Sequence, residues 1–321
     1  MSGLAGWYSA QSTLLNLLGI NVLLTLSVSI GLSCGVLSLA NAAFMGIGAY
    51  AVMLVTPDVN WPLWAMLPAG ALLATLVAVP LGLPVLRLRS VYLAVVTLGF
   101  GAAFSTFMRS VPETRGTVDL ASGANGTTWW EIGLAIVAVC YVFWHIDRSR
   151  LGHAFAVIRQ DEVLAGGLGI NVAAHKLVAF VLGACIAGLA GGLAAHLTPG
   201  ETLTDFGVVR GEMILFAAVI GGPGVFWGAL PGAALVTLAS AWLGASPALQ
   251  AGAGGGSFGL DEMLIGAVAL LAVVFFPGGI SGALGRRRQD RLGRGGQREN
   301  GEPAGERPSA PQPVFPAREG G

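Results

Sequence analysis

The stretch 175–197, HKLVAFVLGACIAGLAGGLAAHL, holds one cation, Lys176, near its start and no acidic residue. A helix of about 20 apolar residues crosses the roughly 30 Å hydrocarbon layer of a bilayer, so this stretch reads as a membrane span. Its glycines say how it would pack. Gly188 and Gly192 stand four residues apart, and Ala184, Ala187 and Gly191 continue the small face. Lipid supplies no hydrophobic force between helices, so spans associate where small residues let backbones approach. Gly228 and Gly232 repeat the spacing.

The rest of the chain agrees. Of 321 residues 54% are hydrophobic and only 11% are charged, whereas a soluble domain carries about 25% charged residues. There is too little charge to cover a soluble surface, which excludes a soluble globular protein. No Asp, Glu, Lys or Arg precedes Asp58, while residues 286–321 hold eight of the seventeen Lys and Arg. The net charge of zero therefore averages a neutral body and an Arg-rich tail, and it gives no sign of a nucleic-acid partner. The tail, rich in Gly, Pro, Gln and Glu as well, cannot bury enough apolar surface to offset chain entropy and is expected to be disordered, its basic start touching lipid headgroups. Met1 to Ala10 lack the basic region of a secretory signal peptide, so the first apolar segment is expected to be a retained span.

Apolar runs near 12–31, 36–56, 61–84, 91–109, 129–146, 175–197, 205–221, 225–243 and 259–277 give an all-α polytopic bundle of eight or nine membrane segments. Two are irregular. The run 36–56 contains Ser38, Asn41, Gly46 and Gly48, and 205–221 is short and ends in Gly221-Gly222-Pro223-Gly224. Either reads as a full crossing or as a broken or re-entrant helix, a form tolerated only where protein or a watery cavity satisfies the backbone. With nine crossings, Arg87 and Arg89, then Arg148, Arg150, Arg159 and Lys176, then Arg286, Arg287, Arg288 and Arg291 all fall on one side. The excess of cations assigns 85–90, 147–175 and 278–321 to the cytoplasm, with Trp61, Trp64, Trp129 and Trp130 at the outer ends as an aromatic belt.

Catalytic constellations are missing from the sequence. His145, His153, His175 and His196 are scattered, Cys34, Cys140 and Cys185 are far apart, and no GxxxxGK[ST] phosphate loop occurs. The glycine run 252–256 reads as a flexible outer loop. Glu131, Glu212, Asp261 and Glu262 fall within about the first two turns of their expected spans, near the outer face, where capping and dipole pairing compete with a place on an ion or proton pathway. No acidic residue sits at mid-membrane depth in any strong span, which lowers, without excluding, the reading as an ion-coupled carrier.

A glycine-rich bundle without an energy source of its own needs an external driver, and the connection 147–174 is where one could attach. Residues 154–165, AFAVIRQDEVLA, read as one short helix with Phe155, Ile158 and Ala165 along one side, an amphipathic helix equally suited to lying on the membrane surface and to receiving a partner. Gly166, Gly167 and Gly169 end it, and Asn171 caps the next helix.

The segment Arg159 to Val172, followed by Lys176-Leu-Val-Ala-Phe, resembles the coupling loop of ABC importer permeases of the branched-chain amino acid (LivM-like) family. Gly35 to Tyr50, Leu86 to Arg89 with Tyr92 to Gly101, and Gly221 to Gly224 with Trp227 to Gly232 resemble three further motifs of that family in the same order. The resemblance covers roughly residues 12–280 and implies an inner-membrane permease domain with a cytoplasmic coupling loop at 147–174 and a cytoplasmic C-terminal tail. It implies four kinds of partner: a second related permease, two ABC ATPase subunits, an extracytoplasmic solute-binding protein and membrane lipid. No cofactor is expected on this chain, since ATP is used by the ATPase subunits.

By the same resemblance Glu162, Ala165, Gly169 and Ile170 correspond to the coupling motif, whose helix docks into a groove on the ATPase. Asn41, Gly46, Gly48, Thr97 and Gly99 are the candidates for lining the path, with packing and helix bending as the competing role. The departures are Leu164, Gly166, Asn41 and Ala102, together with a loosely matching loop at 114–128. They leave the architecture intact and the solute open among branched-chain and other amino acids, urea and short amides. The alternative function is an ion-coupled secondary carrier. A membrane-embedded enzyme would need a clustered His/Asp or Ser constellation, which the sequence lacks.

Overall fold

A computed structural model of the chain describes residues 2–55, 63–88, 90–110, 129–197, 208–222 and 226–244, with helices and turns and no strand among them. The helices are α1 (Ser2–Ser33), α2 (Asn41–Val55), α3 (Leu63–Val85), α4 (Ser90–Ser110), α5 (Trp129–Asp147), α6 (Arg150–Gln160), α7 (Glu162–Gly167), α8 (Val172–Leu197), α9 (Val208–Gly221) and α10 (Phe226–Gly244). An all-α bundle is what the apolar runs require, because a segment in lipid must satisfy its own backbone hydrogen bonds.

Helix α8, which contains the stretch 175–197, is the hub: it packs along α1, α2 and α3. Small residues set the distances. A β-carbon on Gly48 of α2 would lie 2.6 Å from Gly188 Cα and closer still to the Gly188 carbonyl oxygen. Gly191 abuts the Met45 carbonyl in the same way, and a β-carbon on Gly183 would sit 2.8 Å from the Ser27 carbonyl oxygen of α1. The expected glycine face is thus an interhelical contact. Around it Leu23, Leu24, Phe44, Met45 and Leu193 are fully buried. On the other side of α1, α10 and α9 pair through Gly221 and Gly228, and Asn21 Nδ2 donates to Thr237 Oγ1 at 3.1 Å across the α1–α10 contact.

Among the described residues, four helices contain stretches long and apolar enough to cross a membrane: Leu14–Ser33, Leu67–Val85, Trp130–Asp147 and Val172–Ala195. The outward faces of α3 and α5 carry Leu72, Leu76, Leu83, Leu134, Val137 and Tyr141, all exposed, as apolar surface facing hydrocarbon would be. The two irregular runs form shorter helices. With 15 and 14 residues, α2 and α9 are about 22 and 21 Å long at 1.5 Å per residue. Before α2 the chain is broken rather than helical. Helix α1 ends in a Schellman motif: Val36 N–H donates to Gly31 O, Gly35 N–H donates to Leu32 O, and Gly35 has φ +74°. Only glycine adopts that conformation without strain. Residues 36–40 then run non-helically into Asn41.

The expected span 259–277, the glycine run 252–256, the carboxylates Asp261 and Glu262, the loop 114–128 and the tail 286–321 lie outside the described residues.

Candidate functional site

The connection between α5 and α8 folds back against the end of the bundle. Ser149 caps α6, its Oγ accepting from Leu151 N–H at 3.2 Å. A β-carbon on Gly152 would lie 2.5 Å from the Ile146 carbonyl oxygen, so the return is possible only because that residue has no side chain. Helix α6 buries Phe155 and Ile158 and leaves Leu151 exposed, giving an apolar inner face against α1, α5 and α8.

The single helix expected over 154–165 is in fact two. Asp161 interrupts it with φ −156° and ψ 114°, and its Oδ1 accepts from Val163 N–H at 2.8 Å and Leu164 N–H at 3.1 Å. A short carboxylate that satisfies the first free N–H groups starts a new helix more readily than it continues an old one. Helix α7 therefore leaves at a new angle, forming an elbow. It ends in a second Schellman motif, with Ile170 N–H donating to Ala165 O, Gly169 N–H to Gly166 O, and Gly169 at φ +81°. Asn171 caps α8 as expected, its Oδ1 accepting from Ala174 N–H at 3.1 Å.

This geometry divides the coupling-motif residues by position. Ala165 is fully buried and seats α7 on the bundle, Gly169 makes the turn, and Ile170 packs against the core. Glu162 is turned toward α8: its Oε1 is 2.5 Å from Lys176 Nζ, with the lysine side chain 6% exposed and the glutamate side chain 51% exposed. The outward residues of the elbow are Val163, Leu164 and Leu168, at 85%, 59% and 67% exposure. The sequence reading placed none of these three in the site. The available signal was their apolar character in a connection otherwise rich in charge and glycine.

The α1–α2 turn meets this elbow. A β-carbon on Gly35 would be 3.5 Å from Arg159 Cα. The neighbouring Cys34 thiol is pushed up to about 12 by burial; Lys176 partly opposes the shift and Glu162 adds to it. Lys176, the one lysine in the chain, thus stands at the meeting point of α1, α7 and α8. In the sequence it counts as an orienting charge and as part of the coupling-loop resemblance, with no partner assigned to it.

The path candidates gather at the start of α2. Asn41 is buried and its Nδ2 donates to Ser27 Oγ at 2.9 Å. Thr97 of α4 is fully buried; its Oγ1 accepts from Leu39 N–H at 3.1 Å and donates to the Ala94 carbonyl at 3.0 Å. One turn beyond Asn41, Phe44 meets Phe100 and Phe180, with ring centroids 5.6 and 5.5 Å apart. Ser27, Ser38, Asn41, Phe180 and Gly183 line a cavity of about 10 Å³, no larger than one water needs. Gly46 is buried in α2, Gly48 is closed by Gly188, and a β-carbon on Gly99 would meet nothing within 4 Å. The structure thus brings Asn41 and Thr97 to one junction and leaves Gly99 apart from close contacts.

Thr97 offers a direct test. Valine keeps its shape and removes the acceptor of Leu39 N–H, and an orphaned donor costs about 1–3 kcal/mol. Thr97→Val is therefore expected to lower the melting temperature of the detergent-solubilised protein. Unchanged melting with altered uptake would assign Thr97 to the path instead.

A family model for the permease component of branched-chain amino acid transport systems matches residues 11–273. The high-affinity branched-chain amino acid transport permease LivM of Escherichia coli K12 is 30% identical over 236 residues, 63% of this chain and 55% of LivM. LivH, the corresponding permease protein of Salmonella typhimurium LT2, is 27% identical over 237 residues, 64% of this chain and 76% of LivH. The autoinducer 2 import permease LsrC of Escherichia coli SMS-3-5 is 28% identical over 123 residues, 37% of this chain and 35% of LsrC. The chain spans about half the length of LivM. No solved structure matches it. The match across 11–273, on a helical bundle with apolar spanning helices, identifies a multi-pass membrane protein that belongs to the family of branched-chain amino acid transport permease components.

Proposed function

We propose that the chain is the membrane subunit of an ATP-driven importer in the bacterial inner membrane, carrying branched-chain amino acids or related small solutes such as other amino acids, urea or short amides. In this reading residues 12–280 form the permease domain, the connection 147–174 and the tail 286–321 face the cytoplasm, and the chain itself is not an enzyme. It pairs with a second related permease, as the LivM and LivH relatives suggest, with two ABC ATPase subunits that use the ATP, and with an extracytoplasmic binding protein.

One observation carries the reading: the elbow presents Val163, Leu164 and Leu168 to the outside while Ala165 anchors it inside. Apolar side chains on a polar-facing connection need a covering partner, and a short helix laid into a groove is an economical way to provide one. ATP closure of the ATPase pair would then displace the docked elbows and bias a two-state bundle. Glu162, Ala165, Gly169 and Ile170 shape and hold that elbow.

Purification from native membranes in gentle detergent is expected to bring down an ATPase subunit, and the reconstituted assembly is expected to take up leucine only with ATP. Leucine accumulation by this chain alone, driven by an ion gradient, would overturn the proposal.

A further inference from the structure

A buried ammonium is costly unless an opposite charge faces it. Lys176 is such a group, and Glu162 lies on the far side of a turn from it. Between them run Gly166, Gly167, Leu168 and Gly169, the last at φ +81°. Glycines in sequence make a turn that can swivel, so the backbone alone would let α7 pivot without moving α8. The charge pair closes that turn. It ties the first residue of α7 to the first turns of α8 at 2.5 Å. Helix α8 in turn packs along α1, α2 and α3, with Gly188 against Gly48 and Gly183 against Ser27 beside Asn41. Few other groups share the load. Of α7 only Ala165 is buried, and Val163, Leu164, Gly166 and Gly167 are exposed.

We propose that the Lys176–Glu162 ion pair is the tie through which displacement of the elbow reaches α8, so that Lys176 is a positioning residue for transport and Glu162 acts inward, on Lys176, rather than on a docked partner. This rests on the reading of α7 as the ATPase-docking helix. A pair that only stabilised the fold would change the amount of protein; a tie changes what each ATP achieves.

The experiment uses the assembled transporter in proteoliposomes, with leucine as probe and three readings: ATPase retained, ATP hydrolysed, and leucine moved per ATP. Lys176→Met and Glu162→Gln are expected to retain the ATPase and its hydrolysis while leucine per ATP falls about tenfold, within the range of coupling between linked sites. Lys176→Arg keeps a cation and is expected to recover most of the ratio. Lys176→Met combined with Glu162→Leu buries no charge, so it is expected to fold even where a single variant does not, and to remain uncoupled. An unchanged ratio in that double variant overturns the proposal. So does loss of the ATPase in Glu162→Gln but not in Lys176→Met, which would put Glu162 on the docking surface. If the unaltered assembly neither retains an ATPase nor moves leucine, the importer reading itself fails and this inference falls with it.

Discussion

Gly48→Ala is expected to destabilise the bundle severely, and Gly191→Ala to do the same. At Gly48 the added carbon would stand 2.6 Å from Gly188 Cα, and at Gly191 it would overlap the Met45 carbonyl. Neither obstacle is the free end of a side chain; one is backbone of α8 and the other backbone of α2, and both helices are packed into the bundle. Overpacking a close contact costs about 1–3 kcal/mol and more where backbones must separate. A total stability of about 5–15 kcal/mol leaves little reserve for two such losses. The measurement is the folded fraction in detergent by size exclusion, with the melting temperature. Gly99→Ala is the control. Nothing lies within 4 Å of its added carbon, so the change is expected to be neutral or to stabilise α4 by about 1 kcal/mol through helix propensity. Gly48→Ala that melts like the unaltered protein would remove the α2–α8 contact from the account. The two damaging substitutions share one interface and are not expected to add.

Val163→Asp together with Leu164→Asp is expected to abolish ATPase retention without disturbing the bundle. Both side chains are exposed, at 85% and 59%, and neither belongs to the buried core. The fold loses nothing by their replacement, so the melting temperature should hold. At an apolar groove the outcome differs, because a carboxylate there would be desolvated without a partner and would neutralise or be expelled. Residues at the centre of an interface contribute about 2 kcal/mol or more each, and two lost together correspond to a weakening of about 1,000-fold. Full retention of the ATPase by this variant would move the docking surface elsewhere. Leu164 was a departure from the family pattern in the sequence, and it proves to be among the elbow's exposed apolar residues.

Some features are legible in the chain because they depend on local composition. The runs of about 20 apolar residues foretell helices, and Leu14–Ser33, Leu67–Val85, Trp130–Asp147 and Val172–Ala195 are such helices. Residues that punctuate helices are equally local. Gly169 at a left-handed turn and Asn171 at a cap are read from their side chains alone. The irregularity of 36–56 and the shortness of 205–221 could be read from their glycines and polar residues, and they appear as α2 and α9.

The break at Asp161 was missed because it is a competition: the same residue can ride within a helix or cap a new one, and packing of Phe155, Ile158 and Ala165 against the bundle decides for the cap. The candidate site divides the same way. Its position in the 147–174 connection followed from sequence order and resemblance. Which residues face outward, and that Glu162 faces Lys176, did not.

Sequence alone determined that this chain lives in lipid as an all-α bundle and where many of its helices lie, because hydrophobic length and helix-ending chemistry act over a few neighbouring residues. Only the tertiary structure decided that Gly48 meets Gly188, that Thr97 holds the backbone of Leu39, and that Lys176 holds Glu162. Those contacts join residues from 14 to 140 positions apart, and the packing of separate segments against one another, not the composition of any one of them, brings them together.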